Sequence, residues 1–427
     1  MKFIREVSAH VPVGLSSGDA VRECQSSTPG AGPRPRRTLQ DHLDPSVVPK
    51  RILALDGGGV RGILTLQYLK RIETILRDRR GDTHFLLADY FDLIGGTSTG
   101  AIIAGGLARG FSVDHLIERY HNLAAKVFRK PWFRIGAMVP KFNAGAIREL
   151  LKETYGANIM LGSDEVVTGL MIMSKRMDTG SPWPLTNHPR DKYSEPVFGK
   201  KRIGNRNMLL WQVVRASTAA PHYFKPEDLE VGRWLDPSTG SSVIDRGQFV
   251  DGGVSTANNP SLQLLKVALL KGFSFNWQAG EDCMLLVSVG TGRQDRKHGR
   301  AHGIGATAGA FALRALLSLM DDCNDEVQTL MQWLSSSPTR WRIDGQIEGL
   351  ENDSLAGRPL LSYRRYDVIF SRDWFKMELG LDKDQAELQK LVPMDQPGNM
   401  DALAELGAEA ARLQIAEDHL PPAFDPV

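Results

Sequence analysis

The chain has 427 residues, 42% of them hydrophobic, and a net charge of +2. That is enough apolar material for one large α/β domain with a sizeable core, and too little charge to draw the protein to nucleic acid. Cys24, Cys283 and Cys323 are scattered, so there is neither a disulfide framework nor a metal-ligand spacing, and a reducing interior suits the chain.

Residues 1–48 are polar and rich in Ser, Gly, Pro and Arg, most densely from Pro29 to Arg37. They are expected to form a mostly disordered leader, with the folded domain running over 49–427. Met1 to Glu6 lack the apolar core of a signal peptide, and Glu6, Asp19 and Glu23 argue against a transit sequence. No run reaches the roughly eighteen apolar residues of a membrane span. The expected compartment is the cytoplasm.

Ile52–Leu55 predicts a short buried strand, and Ile63 to Arg80 an amphipathic helix with Leu69, Ile72 and Leu76 on one face. Between them lies Asp56-Gly57-Gly58-Gly59-Val60-Arg61-Gly62. A dinucleotide-binding turn needs an acid closing the next strand about twenty residues on. Asp78 and Asp82 lie near that distance, but in a charged helix end. A P-loop needs Gly-Lys-Ser/Thr, whereas Gly62 is followed by Ile63. What remains is a bare backbone presenting N–H groups to a developing oxyanion, with Gly57, Gly58, Gly59, Val60, Arg61 and Gly62 as candidates. Arg61 orients this loop, meets a phosphate, or makes a surface ion pair.

Tyr90–Ile94 predicts a second buried strand, and Ala101 onward a small-residue helix. Gly96-Thr97-Ser98-Thr99-Gly100 must reverse the chain between them. Such an elbow holds its serine in a strained conformation with the hydroxyl clear of the main chain, and Gly96 and Gly100 leave room on either side. Ser98 is the candidate nucleophile; the competing reading is a helix cap.

Val127 to Arg134 mixes aromatics and cations in a way that suits a lipid headgroup surface or a core-packed turn with a basic rim. Met177–Asn207 is long and polar, and is expected either to cover a pocket or to be a surface excursion. Gln248-Phe249-Val250-Asp251-Gly252-Gly253-Val254 is a short strand ending in an acid and two glycines, which lets another loop pack on the Asp251 carboxylate. Alone, it better describes an aspartate turn in which the side chain holds its own backbone. His298 and His302 sit in a polar Gly-rich loop and His419 in the tail, so none has the strand-end setting of a triad histidine. Asn399 through Ile415 predicts a closing helix with Leu403, Leu406 and Ala410 packed on the domain.

Taken together, Asp-Gly-Gly-Gly-x-Arg-Gly, Gly-Thr-Ser-Thr-Gly and Asp-Gly-Gly, in that order, resemble the patatin-like phospholipases. Arg215-Ala216-Ser217-Thr218-Ala219-Ala220-Pro221 and Ser288-Val289-Gly290-Thr291-Gly292 are similar to further blocks of that family. The resemblance covers roughly Pro49 to Arg372. It implies a three-layer α/β/α fold with a central, mostly parallel sheet, and a Ser98–Asp251 dyad without histidine. It also implies an oxyanion hole from the amides of Gly58, Gly59 and their neighbours, and no cofactor or metal. The implied activity is hydrolysis of lipid acyl esters at a membrane or micelle surface, without nucleic acid, by a protein that meets the membrane peripherally. Alternatives are an esterase or thioesterase for soluble acyl substrates, or a catalytically silent lipid-binding module.

Overall fold

The computed structural model describes residues 36–127, 142, 144–196, 201–295 and 308–426. Arg36–Val427 form one compact unit. In chain order its main elements are α1 (Leu39–Leu43), β1 (Lys50–Leu55), α2 (Gly62–Arg80), α3 (Leu87–Tyr90), β2 (Leu93–Thr97), α4 (Thr99–Ala108), α5 (Val113–Val127) and α6 (Ala144–Tyr155). There follow β3 (Gly169–Arg176), β4 (Ser181–Thr186), α7 (Leu210–Ser217), β5 (Glu227–Leu235), β6 (Ser242–Asp251), α8 (Ser261–Leu269) and β7 (Met284–Val289). The rest comprises β8 (Arg293–Gln294), α9 (Ala308–Trp333), β9 (Ser335–Ser336), β10 (Leu361–Tyr366), β11 (Ile369–Phe370), α10 (Arg372–Leu379), α11 (Gln385–Leu391) and α12 (Met400–Gln414).

Among the described residues the central sheet has nine strands in the order β5-β6-β3-β2-β1-β7-β10-β9, with β4 also paired to β3. Pairing is parallel from β3 through β9 and antiparallel at β3–β4, β3–β6 and β5–β6. The middle strands are near-continuous apolar runs because both faces are covered. In β1, Leu53 and Leu55 join one core with α2, α4 and α12, while Ile52 and Ala54 join a second with α8 and Val327 and Met331 of α9. Leu285, Val287 and Val289 of β7 divide from Met284 and Leu286 in the same way. This period-two division makes the molecule a three-layer α/β/α fold with a mostly parallel sheet.

The closing helix α12 packs on α2, with Leu403, Leu406 and Ala410 buried. A Cβ on Gly407 would lie 3.0 Å from the Leu64 Cα, so glycine allows the two helix backbones to cross closely.

Three sequence expectations are corrected. Residues 36–48 are not a disordered leader. Thr38 caps α1, buries His42 and Leu43, and brings Arg37 and His42 to 2.6 and 3.1 Å from the carboxylate of Asp92. Asp92 is fully buried, and burial alone would raise its pKa. The His42 hydrogen bond and the charges of Arg51, Arg37 and Lys50 outweigh that and hold it well below the usual carboxylate range. The polar composition that suggested disorder thus partly supplies hydrogen-bonding partners for one buried acid. Residues 1–35 lie outside the described residues.

The second strand runs over Leu93–Thr97 rather than Tyr90–Ile94, because Tyr90 closes α3 and the Phe91 N–H still returns to the Leu87 carbonyl. Met177–Asn207 is not one long loop. Its Ser181–Thr186 pairs antiparallel with β3, and Trp183 packs edge-on against Phe249 at 5.2 Å.

Candidate active site

The sheet register itself brings the serine and the aspartate together. β4 occupies one edge of β3 along Met171–Arg176. The opposite edge is taken by β2 up to the pair Thr97–Met173, and then by β6 from the pair Asp251–Ser174. β2 runs parallel to β3 and β6 runs antiparallel, so the two strands approach head-on along one edge. Ser98 leaves the end of one and Asp251 ends the other. The two are near enough for the Ser98 hydroxyl to favour the ionised form of the Asp251 carboxylate.

Ser98 has φ 54° and ψ −119°, in the region disfavoured for a residue with a β-carbon. Such strain costs on the order of 1–3 kcal/mol and needs support from its surroundings. That support is visible. The Ser98 N–H donates to Ser217 Oγ at 2.9 Å, and Ser217 Oγ donates to the Met173 carbonyl at 2.6 Å. Thr97 Oγ1 donates to the Ala257 carbonyl at 2.6 Å. A Cβ on Gly96 would stand 2.1 Å from the Gly100 carbonyl oxygen, and one on Gly100 would stand 2.1 Å from that of Leu55. Both glycines are therefore required by the tight reversal. α4 starts at Thr99, so the positive end of its dipole faces the serine.

Asp251 is 5% exposed and accepts the Gly253 N–H at 2.8 Å. Burial pushes its carboxyl up to about 6, partly countered by the Ser98 and Gly253 hydrogen bonds and the charge of Arg215. Arg215 is itself fully buried, over the Phe224 ring at 5.0 Å, and burial lowers its pKa to about 10. Gly252 is held against β3, where a Cβ would meet the Met173 carbonyl at 2.3 Å, and a Cβ on Gly253 would be 3.0 Å from Asn258 Oδ1.

The glycine loop lies beside the elbow, with the Gly57 Cβ position 3.1 Å from the Ser98 Cβ. The six candidate amides divide. Gly57 N–H donates to the Asn258 carbonyl at 3.3 Å, Val60 N–H to Met394 at 2.8 Å, and Arg61 N–H to Gly58 at 3.3 Å. Gly62 N–H returns to the Gly59 and Val60 carbonyls. Among the described residues, only Gly58 and Gly59 of the six keep an N–H without an acceptor. Gly59 has φ +59°, and a Cβ there would strike the Met394 carbonyl at 2.1 Å. The Gly59 carbonyl is tied back by Thr99 Oγ1 at 2.9 Å and by the Tyr120 hydroxyl. Arg61 is buried and gives Nη1 to the Val392 carbonyl at 3.2 Å, so it anchors the loop to the C-terminal region rather than making a surface ion pair.

These groups open onto a cavity of about 350 Å³ at the C-terminal ends of β1, β2 and β7. That is where ligands bind in open parallel sheets. Ile102, Leu123, Val127, Ile147 and Phe224 line it on one part, while Arg61, Arg293, Asn324 and Asp367 bring polar groups to another. Under the loop, Arg365 makes two bonds to Asp56, at 3.0 and 2.6 Å, and one to Asp367 at 2.9 Å.

No sequence signal had singled out Tyr120, Asn258, Arg365 or Asp367. Ser217 and Thr291 stood inside quoted blocks without a role. His419 bonds the Tyr366 hydroxyl at 3.0 Å and does not line the cavity. His298, His302 and residues 128–134 lie outside the described residues. Among the described residues, no helix is long and apolar enough to cross a membrane, and no three His, Cys, Asp or Glu gather as a metal site.

Residues 53–265 match the family model of patatin-like phospholipases. A cGAMP-activated phospholipase of Escherichia coli (strain TW11681) is 30% identical over 254 residues, 57% of this chain and 63% of that protein. Patatin-like phospholipase 1 of Plasmodium falciparum is 24% identical over 79% of this chain and 50% of its own length. Patatin-17 of Solanum cardiophyllum is 27% identical over 56% of this chain and 60% of its own. The chain thus spans less than two thirds of the length of these curated relatives. Ser98, Asp251 and the glycine loop all lie inside the matched stretch, and residues 53–265 are a patatin-like phospholipase domain.

Proposed function

We infer that this protein hydrolyses acyl esters of phospholipids or related lipids through a Ser98–Asp251 dyad. The observation that carries the reading is the head-on meeting of β2 and β6, which aims a strained, part-exposed serine at a buried carboxylate beside a partly apolar cavity. The phospholipase names of the relatives support the substrate class.

In this reaction Asp251 takes the proton of Ser98 as its Oγ attacks the ester carbonyl. A carboxylate is a weak base for a hydroxyl. Its elevation to about 6 brings it nearer to the task at neutral pH while leaving it ionised there. The tetrahedral oxyanion accepts the N–H groups of Gly58 and Gly59, each worth on the order of 3 kcal/mol in such a setting. Collapse returns the proton from Asp251 to the leaving alcohol and leaves the acyl group on Ser98. A water molecule then gives a proton to Asp251 as it attacks the acyl carbonyl, and collapse of this second tetrahedral intermediate returns that proton to Ser98 Oγ and releases the fatty acid. The apolar wall around Ile102, Leu123 and Ile147 receives the acyl chain. No step calls on a metal or cofactor. The protein is placed by this reading in the cytoplasm, meeting lipid peripherally at a membrane or micelle surface.

A fluorophosphonate probe followed by peptide mass spectrometry tests the nucleophile, with lipid product analysis on phospholipid vesicles as the activity readout. Modification at Ser98, lost in Ser98→Ala together with fatty-acid release, is expected. Undiminished release by Ser98→Ala would overturn the reading.

A further inference from the structure

Three consecutive glycines have no side chains with which to fix their own peptide planes, so the orientation of the loop must be imposed from outside. Two of its carbonyls are held by hydroxyl groups: that of Gly59 by Thr99 and Tyr120, and that of Gly57 by Thr291 Oγ1 at 3.0 Å. In a trans peptide the carbonyl and the following N–H point in opposite directions. Fixing the Gly57 carbonyl on Thr291 therefore fixes the Gly58 N–H on the far side of the same plane.

Thr291 is itself rigidly mounted. Gly290 N–H donates to the Tyr366 carbonyl at 2.8 Å, and the Gly290 carbonyl accepts Thr65 Oγ1 at 2.7 Å. Gly292 N–H donates to Asp367 Oδ1 at 2.7 Å. Asp367 is bonded to Arg365, which grips Asp56 at the root of the loop. The polar contacts thus close a ring from Asp56 through Arg365, Asp367 and Gly292 to Thr291, and back to Gly57. Thr291 is 4% exposed and presses on the loop so closely that a Cβ on Gly58 would be 2.1 Å from its hydroxyl oxygen.

We propose that Thr291 is a positioning residue of the oxyanion hole, its hydroxyl setting the Gly57–Gly58 peptide so that the Gly58 N–H meets the developing oxyanion. This deepens the hydrolase reading and rests on it. Loss of the hydroxyl leaves the Gly57 carbonyl without its side-chain donor, and a peptide between two glycines can then rotate and carry the Gly58 N–H out of line.

The test uses the full chain and a soluble short-chain ester, with Thr291→Val, which keeps the shape, and Thr291→Ser, which keeps the hydroxyl. Thr291→Val should lower kcat by about ten- to a hundredfold with KM unchanged, a part of the roughly hundred- to thousandfold that outright loss of one oxyanion donor costs. Its rate of phosphonylation by a fluorophosphonate should fall in parallel, because the phosphonyl oxygen seeks the same donors. Thr291→Ser should restore most of both rates. If Thr291→Val melts well below the parent, Thr291→Ala replaces it in the comparison with Thr291→Ser. The inference is overturned if the variant lacking the hydroxyl keeps full kcat, if the loss sits in KM, or if Thr291→Ser fails as badly. Ser98→Ala is run alongside. An active Ser98→Ala sinks the hydrolase mechanism as a whole, whereas an inactive Ser98→Ala beside a fully active Thr291→Val sinks only the role of Thr291.

Discussion

Replacing Asp251 with asparagine should abolish turnover and at the same time make the protein more stable at neutral pH. The cause is burial. Removing the carboxylate from water raises its pKa from an ordinary 3.8 to about 6 in the folded protein. Each unit of such a shift is worth about 1.4 kcal/mol, so the folded state disfavours ionised Asp251 by about 3 kcal/mol relative to its protonated form. Because the folded-state pKa is the higher one, the stabilising contribution is fully present below pH 3.8 and is lost as pH rises through 6. Asparagine is neutral at every pH and can still accept the Gly253 N–H, so it does not suffer that loss.

The stability difference between Asp251→Asn and the parent should therefore grow by about 2.5 kcal/mol between pH 4 and pH 7.5, then level off. For a folded unit of this length the unfolding entropy is on the order of 0.8 kcal/mol/K, so the divergence in Tm should be about 3 °C. Thermal or urea unfolding of both proteins across that range measures it. The pH-dependent part is the diagnostic one, because any packing cost of the amide is the same at every pH. A difference that stays flat, or that favours the parent more as pH rises, would refute the idea that a buried, destabilised carboxylate sits at this position.

Two other outcomes are expected. The kcat/KM of the parent on a soluble ester should fall as pH drops below about 6, since the base must be ionised to act; unchanged activity down to pH 4.5 would remove Asp251 from that role. Asp56 is also pushed up to about 6, by burial against the pull of Arg365, so this limb alone does not separate the two acids, whereas the Asp251→Asn stability difference does. Separately, a chain beginning at Pro49 should be less stable than one beginning at Arg36 by about 3 kcal/mol or more, because it leaves buried Asp92 without Arg37 and His42. Equal urea midpoints for the two truncations would show that these contacts carry no stability.

How much of this was legible in the sequence depends on the range of each interaction. The elbow and the glycine loop are local: each is a strand, a reversal and a helix within a dozen residues, and glycine is demanded wherever backbone meets backbone. Asp251 was legible for the same reason, as an acid at a strand end followed by two glycines. Arg365 was not, because its partners Asp56 and Asp367 are joined only when β10 pairs with β7 and β7 with β1. Nothing local marks an arginine inside a strand as the holder of a loop more than three hundred residues earlier. The capped helix at Leu39–Leu43 was hidden for another reason. It is held by one remote acid, Asp92, and by Leu39 and Leu43 packing on the core beneath the sheet, while its own composition is that of a solvated tail.

The same distinction explains why a catalytic pair could be proposed here without a histidine. A histidine triad delivers its base on a separate strand-end loop, whose position depends on the whole sheet. In this chain the proposed base, Asp251, arrives on the same edge of β3 that carries the strand leading to Ser98, from the opposite direction and one pair further along. Strand pairing fixes that spacing to within a residue, and a one-residue slip would turn the Asp251 side chain to the opposite face of the sheet. The register thereby does the positioning that a third residue performs for an imidazole. What it leaves unset is the orientation of bare glycine amides, and it is there that the long-range polar ring through Arg365, Asp367 and Thr291 is needed.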